Sequence, residues 1–183
     1  MDDWEIVATD VLLDTPWVRV VKDRLRKRDT GEERDYYSLT SPGEAVATVA
    51  LTDDGRVLLT RQYRHPVRRV VWDLPAGAMQ RDEEPAQAAR RELLEETGYR
   101  AGHLTPLAYF NQFPGSMNIG THLFLARDLT WVGQRLDPGE ELQVVAVPFH
   151  QALEMVVNGE VIDGALMMGL LLVAQKGMGP PSP

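Results

Sequence analysis

The sequence predicts an α+β fold. Three observations predict it: strand-type alternation through the first third of the chain, one well-delimited helix near its centre, and further strands closing on two helices. The 183 residues suit one domain with a small appendage. The expected parts are an N-terminal β-sheet region over 1–42, a main domain over 43–176 and a flexible tail over 177–183.

Residues 4 to 40 read as strands. Trp17-Val18-Arg19-Val20-Val21-Lys22 and Asp23-Arg24-Leu25-Arg26 approximately alternate apolar with charged. Asp29-Thr30-Gly31-Glu32 is a turn, and Asp35-Tyr36-Tyr37-Ser38-Leu39 resumes as a strand. This is a small antiparallel sheet with one wet face. Ser41-Pro42-Gly43 ends it. Ala45 to Leu51 and Val57 to Thr60 then flank Thr52-Asp53-Asp54-Gly55, a hairpin signal.

Arg61-Gln62-Tyr63-Arg64-His65-Pro66-Val67-Arg68-Arg69 is a basic island in a chain of net charge −8. It reads as solvated or interface charge, or as an anion grip, because the planar guanidinium can bind a phosphate at two points. The overall charge argues against generic nucleic-acid or anionic-membrane binding.

The central stretch is Gly77 to Tyr99. Pro75, Ala76 and Gly77 break the chain after Val70-Val71-Trp72, so a strand gives way to a loop. Asp82, Glu83 and Glu84 precede Pro85, which marks a helix start. Ala86, Ala89, Leu93 and Leu94 recur at helical spacing, and Gly98 stands where a glycine stops a helix. At about 100° per residue, Glu95 and Glu96 fall on either side of Glu92. Three carboxylates on one face repel one another. They form either a solvated acidic face or a site for a hard cation such as Mg²⁺, which prefers oxygen ligands shared with substrate phosphates. The cluster alone does not decide.

Beyond it, Leu104 to Phe113 and Thr121 to Leu125 read as strands around the loop Pro114 to Gly120. Asp137-Pro138-Gly139-Glu140-Glu141 is a second acidic loop, before the strand Leu142 to Val147. Pro148 to Val157 reads as a helix turning at Asn158-Gly159, and Asp163 as the cap of a last helix to Gln175. Met155, Met167 and Met168 read as core filler. His65, His103, His122 and His150 are scattered and read as structural or surface residues.

Zero cysteines exclude disulfides, thiolate metal sites and a cysteine nucleophile. The acidic N-terminus has no signal-peptide pattern, and the apolar run Ala165 to Ala174 is too short to span a bilayer. A cytoplasmic protein without membrane association is expected.

The spacing Gly77, Glu83, Arg91-Glu92-Leu93, Glu95-Glu96, Gly98-Tyr99 resembles the Nudix box, with Tyr99 at a position usually aliphatic. The resemblance implies a mixed β-sheet between helices, an α/β/α sandwich, whose box presents glutamates to divalent metal. It implies hydrolysis of a nucleoside diphosphate linked to another moiety. Within the family the chain resembles the ADP-ribose pyrophosphatases. Arg61-Gln62-Tyr63-Arg64-His65-Pro66 ahead of Leu74-Pro75-Ala76-Gly77 is similar to their basic run, in which Arg64 would contact substrate phosphate, with Arg61 nearby. Pro114, sixteen residues beyond Gly98, is similar to a proline marking that group. The N-terminal sheet resembles their dimerising domain, implying a homodimer in which Tyr36 would stack on the adenine of the other subunit. Trp17 or Tyr37 could serve instead, and plain packing remains an equal reading.

The resemblance implies Mg²⁺, or Mn²⁺, held by Glu92 and Glu96 with Glu95 and the Ala76 carbonyl. Arg91 would brace the helix by pairing with Glu83. The general base would be Glu140, with Glu141 as near alternative and Glu95 next. ADP-ribose would give AMP and ribose 5-phosphate. An isopentenyl diphosphate isomerase of the same fold is discounted for want of a catalytic cysteine. A nucleoside triphosphate hydrolase is disfavoured by the N-terminal sheet and Pro114. A preference for GDP-mannose, NADH or a dinucleoside polyphosphate, and a non-catalytic nucleotide-sugar sensor, remain as alternatives.

Overall fold

Ten strands and three α-helices carry the chain, in a computed structural model that describes residues 3–16, 18–41, 43–136 and 141–181. Among the predicted features, Trp17, Pro42, the acidic-loop residues 137–140 with Glu140, and residues 182–183 lie outside the described residues.

The chain divides into two compact units, residues 1–44 with 111–120, and residues 45–110 with 121–183. In the first, β1 (Trp4–Asp14), β2 (Arg19–Lys27) and β3 (Glu33–Thr40) form an antiparallel sheet in the order β1-β2-β3. The tight connection is stapled where Lys27 N donates to Glu32 O. Most of β1 is exposed, including Ile6, Val11 and Leu13. The loop 111–120 joins this unit through Leu39 N to Ser116 O and Asn118 N to Leu39 O.

The second unit is built on β4 (Ala45–Leu51), β5 (Arg56–Arg64), β6 (Arg69–Asp73), β7 (Ala76–Ala78), β8 (Tyr99–Asn111), β9 (Gly120–Trp131) and β10 (Leu142–Pro148). The strand path is β10-β5-β4-β9-β8, with β4 and β9 parallel and the other registered pairs antiparallel. Helices α1 (Pro85–Thr97), α2 (Phe149–Val157) and α3 (Gly164–Gln175) cover it.

Side chains of a strand point alternately to its two faces. Along β4, Ala47, Val49 and Leu51 join Leu123 and Leu125 of β9 in a core with Phe149, Ala152, Leu166 and Leu170 of α2 and α3. Their neighbours Val46 and Ala50, with Phe124 and Ala126, pack instead with Ala88, Ala89 and Leu93 of α1. Near-continuous apolar sequence in β4 and β9 is therefore the mark of a sheet covered on both faces, an α/β/α sandwich. Val49, Leu59, Leu93, Leu123 and Leu166 are wholly buried.

One departure from simple order places the site. β4 and β5 pair only at Ala50–Leu58 and Leu51–Val57. Beyond that, β5 pairs β6 and β4 pairs β7. The sheet splits, and the segment Leu74 to Gly77 fills the split. The sequence read Ala76 and Gly77 as loop; the free edge of β4 recruits them into a short strand. Residues 177–181, expected as a free tail, make contacts: Met178 N donates to Val173 O, Arg127 donates to Met178 O, and Phe149 lies against Gly179. Among the described residues, no helix is long and apolar enough to cross a membrane.

Candidate active site

Helix α1 begins at Pro85, whose ring supplies helical φ where no N–H bond is needed, and ends at Gly98, with φ of 77°. Ala88, Ala89 and Leu93 anchor one face in the core. That burial turns Glu92, Glu95 and Glu96 toward the split in the sheet.

Glu96 is buried, 5% exposed, and its Oε2 accepts from Ala76 N at 2.9 Å. Gly77 lies against Glu92 so closely that a Cβ there would overlap the Glu92 carboxylate. The glycine thus leaves room for the Glu92 carboxylate where it stands, and its φ, not being positive, makes no separate demand. Arg91 is the hub of the helix. Its Nε and Nη2 each reach Glu83 at 2.9 Å, Nη1 reaches Glu92 at 2.7 Å and Glu95 at 3.0 Å, and Nη2 also donates to Ala78 O. The brace expected between Arg91 and Glu83 is therefore formed. Glu83 further accepts from Gln80 N. Arg91 holds the Glu83 carboxyl below its ordinary pKa, and Glu83 in turn raises that of the guanidinium.

All these donors are oxygens, the chemistry of a hard cation. Among the described residues, no three acidic or histidine side chains close into a metal cage. The open set of carboxylates fits a hard divalent ion that keeps waters and is shared with substrate phosphates.

A cleft of about 950 Å³ lies along β5 and β10, lined by Arg61, Tyr63, Arg64, Leu136, Glu141 and Gln143 among others. Three predicted site residues, Arg61, Arg64 and Glu141, thus share one cavity. Arg61 stacks over Trp72 at 4.8 Å. Arg64 is held by Asp73, its Nε at 2.8 Å and Nη2 at 2.7 Å from Oδ2. In the N-terminal unit, the Tyr36 hydroxyl donates to Gly115 O, which brings Tyr36 to the loop carrying Pro114.

Sequence reasoning missed Asp73. Its signal was present: a carboxylate among Val70, Val71, Trp72 and Leu74, where an unpaired charge is costly. It also missed the segment after β9. Val132 N donates to Gly98 O, Arg135 N to Glu95 O, and Gln134 Nε2 to Glu96 O, so this segment takes up carbonyls at the end of α1. No local pattern announces that pairing.

A family model described as NUDIX domain matches residues 41–163. The ADP-ribose pyrophosphatase of Bacillus subtilis (strain 168) is 40% identical over 124 residues, 67% of this chain and 66% of the relative. The GDP-mannose pyrophosphatase of Klebsiella pneumoniae is 30% identical over 186 residues, 94% of this chain and 92% of the relative. A solved structure titled "Crystal structure of ADP compounds hydrolase" superimposes with a TM-score of 0.87, covering 98% of this chain and 97% of the other at 24% identity, a likeness of fold.

Proposed function

The chain belongs to the Nudix hydrolase family, and from that premise we propose that it is a Mg²⁺-dependent pyrophosphohydrolase cleaving ADP-ribose to AMP and ribose 5-phosphate. The observation that carries this reading is the closure of the box on itself: Glu96 buried against Ala76, and Glu92 against Gly77. The box thus keeps its carboxylates together on one side of α1, as a metal-dependent hydrolase requires.

Glu92 and Glu96, with Glu95 and the Ala76 carbonyl, would hold Mg²⁺ or Mn²⁺. When bound, the ion supplies neutralisation of the pyrophosphate charge and a more acidic water. The protein's own residues do the rest. Arg91 and Glu83 fix the helix that carries the ligands. Arg64, with Arg61 beside it, grips a phosphate in the cleft. Glu140 takes the proton of the attacking water, with Glu141 at the cleft wall as the near alternative and Glu95 next. In a homodimer, Tyr36 receives the adenine held by the other subunit, and Pro114 shapes the loop beside Tyr36.

The similarity to a GDP-mannose pyrophosphatase over nearly the whole chain supports that nucleotide sugar as the second reading. A panel of nucleoside diphosphate derivatives, assayed with Mg²⁺ and with products identified, tests both. ADP-ribose should give the highest kcat/KM, and release of AMP with ribose 5-phosphate is the expected result. Preferred turnover of GDP-mannose would replace the substrate. Tight ADP-ribose binding without any metal-dependent turnover would replace hydrolysis with sensing.

A further inference from the structure

Asp73 closes β6, and its side chain is only 7% exposed. Burying a carboxylate is costly unless a charge-assisted partner meets it. Arg64 is that partner, at the end of β5, and both its bonds to Asp73 Oδ2 come from one edge of the guanidinium, Nε and Nη2. The same strand pairing sets the distance: Thr60 lies opposite Asp73, and Arg64 opposite Arg69. Thr60, itself wholly buried, donates through Oγ1 to Asp73 O at 3.4 Å. The carboxylate is thus fixed by buried structure, while Arg64, 46% exposed, lines the cleft.

We infer that Asp73 is a positioning residue for phosphate recognition, orienting Arg64 so that the other edge of its guanidinium, Nη1 with Nη2, meets a substrate phosphate. This deepens, and rests on, the proposed pyrophosphohydrolase reading. Guanidinium is suited to the arrangement because its five donors can serve two anions at once, one on each edge. A carboxylate behind it restrains an otherwise rotamer-rich side chain and leaves less ordering to occur on binding. A second carboxylate, Asp163 at the N-terminus of α3, accepts from Leu166 N at 2.7 Å. Burial raises its pKa, the Asp73 charge adds to that rise, and Arg64 opposes it, so Asp163 lies within the field of the pair.

The test uses the intact protein, a non-hydrolysable methylene analogue of ADP-ribose and inorganic pyrophosphate, with affinities by calorimetry and ADP-ribose kinetics alongside. In Asp73→Asn the Kd for both probes and the KM should rise about tenfold, while kcat stays within about twofold. In an Arg64→Ala background the same change should weaken binding no further, because the residue acts through Arg64. Arg64→Lys, which keeps a charge beside Asp73 but loses the fork, should also weaken binding about tenfold, and it decides the matter if Asp73→Asn does not fold. Unchanged affinity in a folded Asp73→Asn overturns the inference. So does an equal loss in the Arg64→Ala background, or unchanged affinity in Arg64→Lys. A wild type that binds pyrophosphate but neither binds the analogue nor hydrolyses ADP-ribose sinks the substrate reading, and the pyrophosphate arm still decides the role of Asp73. A wild type that binds neither probe overturns both.

Discussion

Glu96 Oε2 receives the amide hydrogen of Ala76 at 2.9 Å, across twenty residues of chain. The bond ties the C-terminal half of α1 to the turn that enters the box. One carboxylate oxygen is thereby committed to the backbone. Replacing Glu96 by Gln should keep an acceptor for Ala76 N and remove the charge. The expected outcome is a fold that melts near the wild type, with Mg²⁺ activation weakened by at least about tenfold and partly restored by excess metal. Melting curves with and without Mg²⁺, beside an Mg²⁺ titration of the rate, check it.

Gly77→Ala separates stability from activity in a different way. The added methyl meets the far end of the Glu92 side chain, which can swing aside at small cost. The fold should survive, with melting little changed. Turnover should fall about 10- to 100-fold, since a proposed metal ligand has been moved. Full activity in this variant would remove Glu92 from the ligand set.

The Glu83–Arg91 pair predicts a pH dependence. Arg91 is the main cause of the lowered Glu83 pKa in the fold, against an ordinary value of 4.5. A depressed carboxylate contributes stability that is fully present above its unfolded pKa and is lost as pH falls through the folded value. Wild-type stability should therefore decline below about pH 4.5 partly through this pair. Glu83→Gln should be less stable at pH 7, with the gap narrowing toward acid pH. Urea unfolding across pH 3 to 7 measures both; a constant gap would show the pair is not responsible.

The limits of α1 were legible because proline and glycine act locally, and the register of the glutamates followed from helical geometry alone. The hairpin signal over 45–60 marked β4 and β5, while the covered sheet was expected only from the family resemblance. What escaped the sequence depends on distant partners. Asp73 was passed over, because its partner Arg64 is brought beside it only by the pairing of β5 with β6. Gly77 looked like a turn residue, yet the requirement is space for Glu92. The wide strand β8, from Tyr99 to Asn111, extends several residues ahead of the stretch read from its apolar pattern, because its neighbour β9 continues to Trp131 and offers a partner.

The N-terminal sheet leads to an association state. Ile6 is 63% exposed and Val11 54%, and their partners Leu25 and Val21 place both on one face of a three-stranded sheet too thin to bury them itself. A sheet face of this kind is stable when it packs on another layer. The protein should sediment as a homodimer at micromolar concentration, and Val11→Glu should shift it toward monomer. A wild-type monomer under the same conditions counts against dimerisation.

The identity of the general base is the sharpest test of the mechanism. Glu141 lines the cleft with Arg61 and Arg64, and Glu140 precedes it in sequence. Both stand outside the box in sequence, and Glu141 is not among the partners of Arg91. Glu140→Gln should therefore leave metal and analogue binding near normal while slowing turnover about 10²- to 10⁴-fold, the usual contribution of a general base. The acid limb of the pH–rate profile should vanish with it, because that limb reports protonation of the base. Should Glu141→Gln alone carry the loss, the segment is right and the residue is its neighbour. Should neither variant slow the reaction, the base is elsewhere, and Glu95 becomes the candidate, held 3.0 Å from Arg91 Nη1 on the box helix. Arg91 holds Oε2, so such a base would take the proton on Oε1, and its rate loss in Glu95→Gln would come with a changed pH profile. Calorimetry of the non-hydrolysable analogue, run beside the rates, keeps a loss of binding from being mistaken for a loss of chemistry.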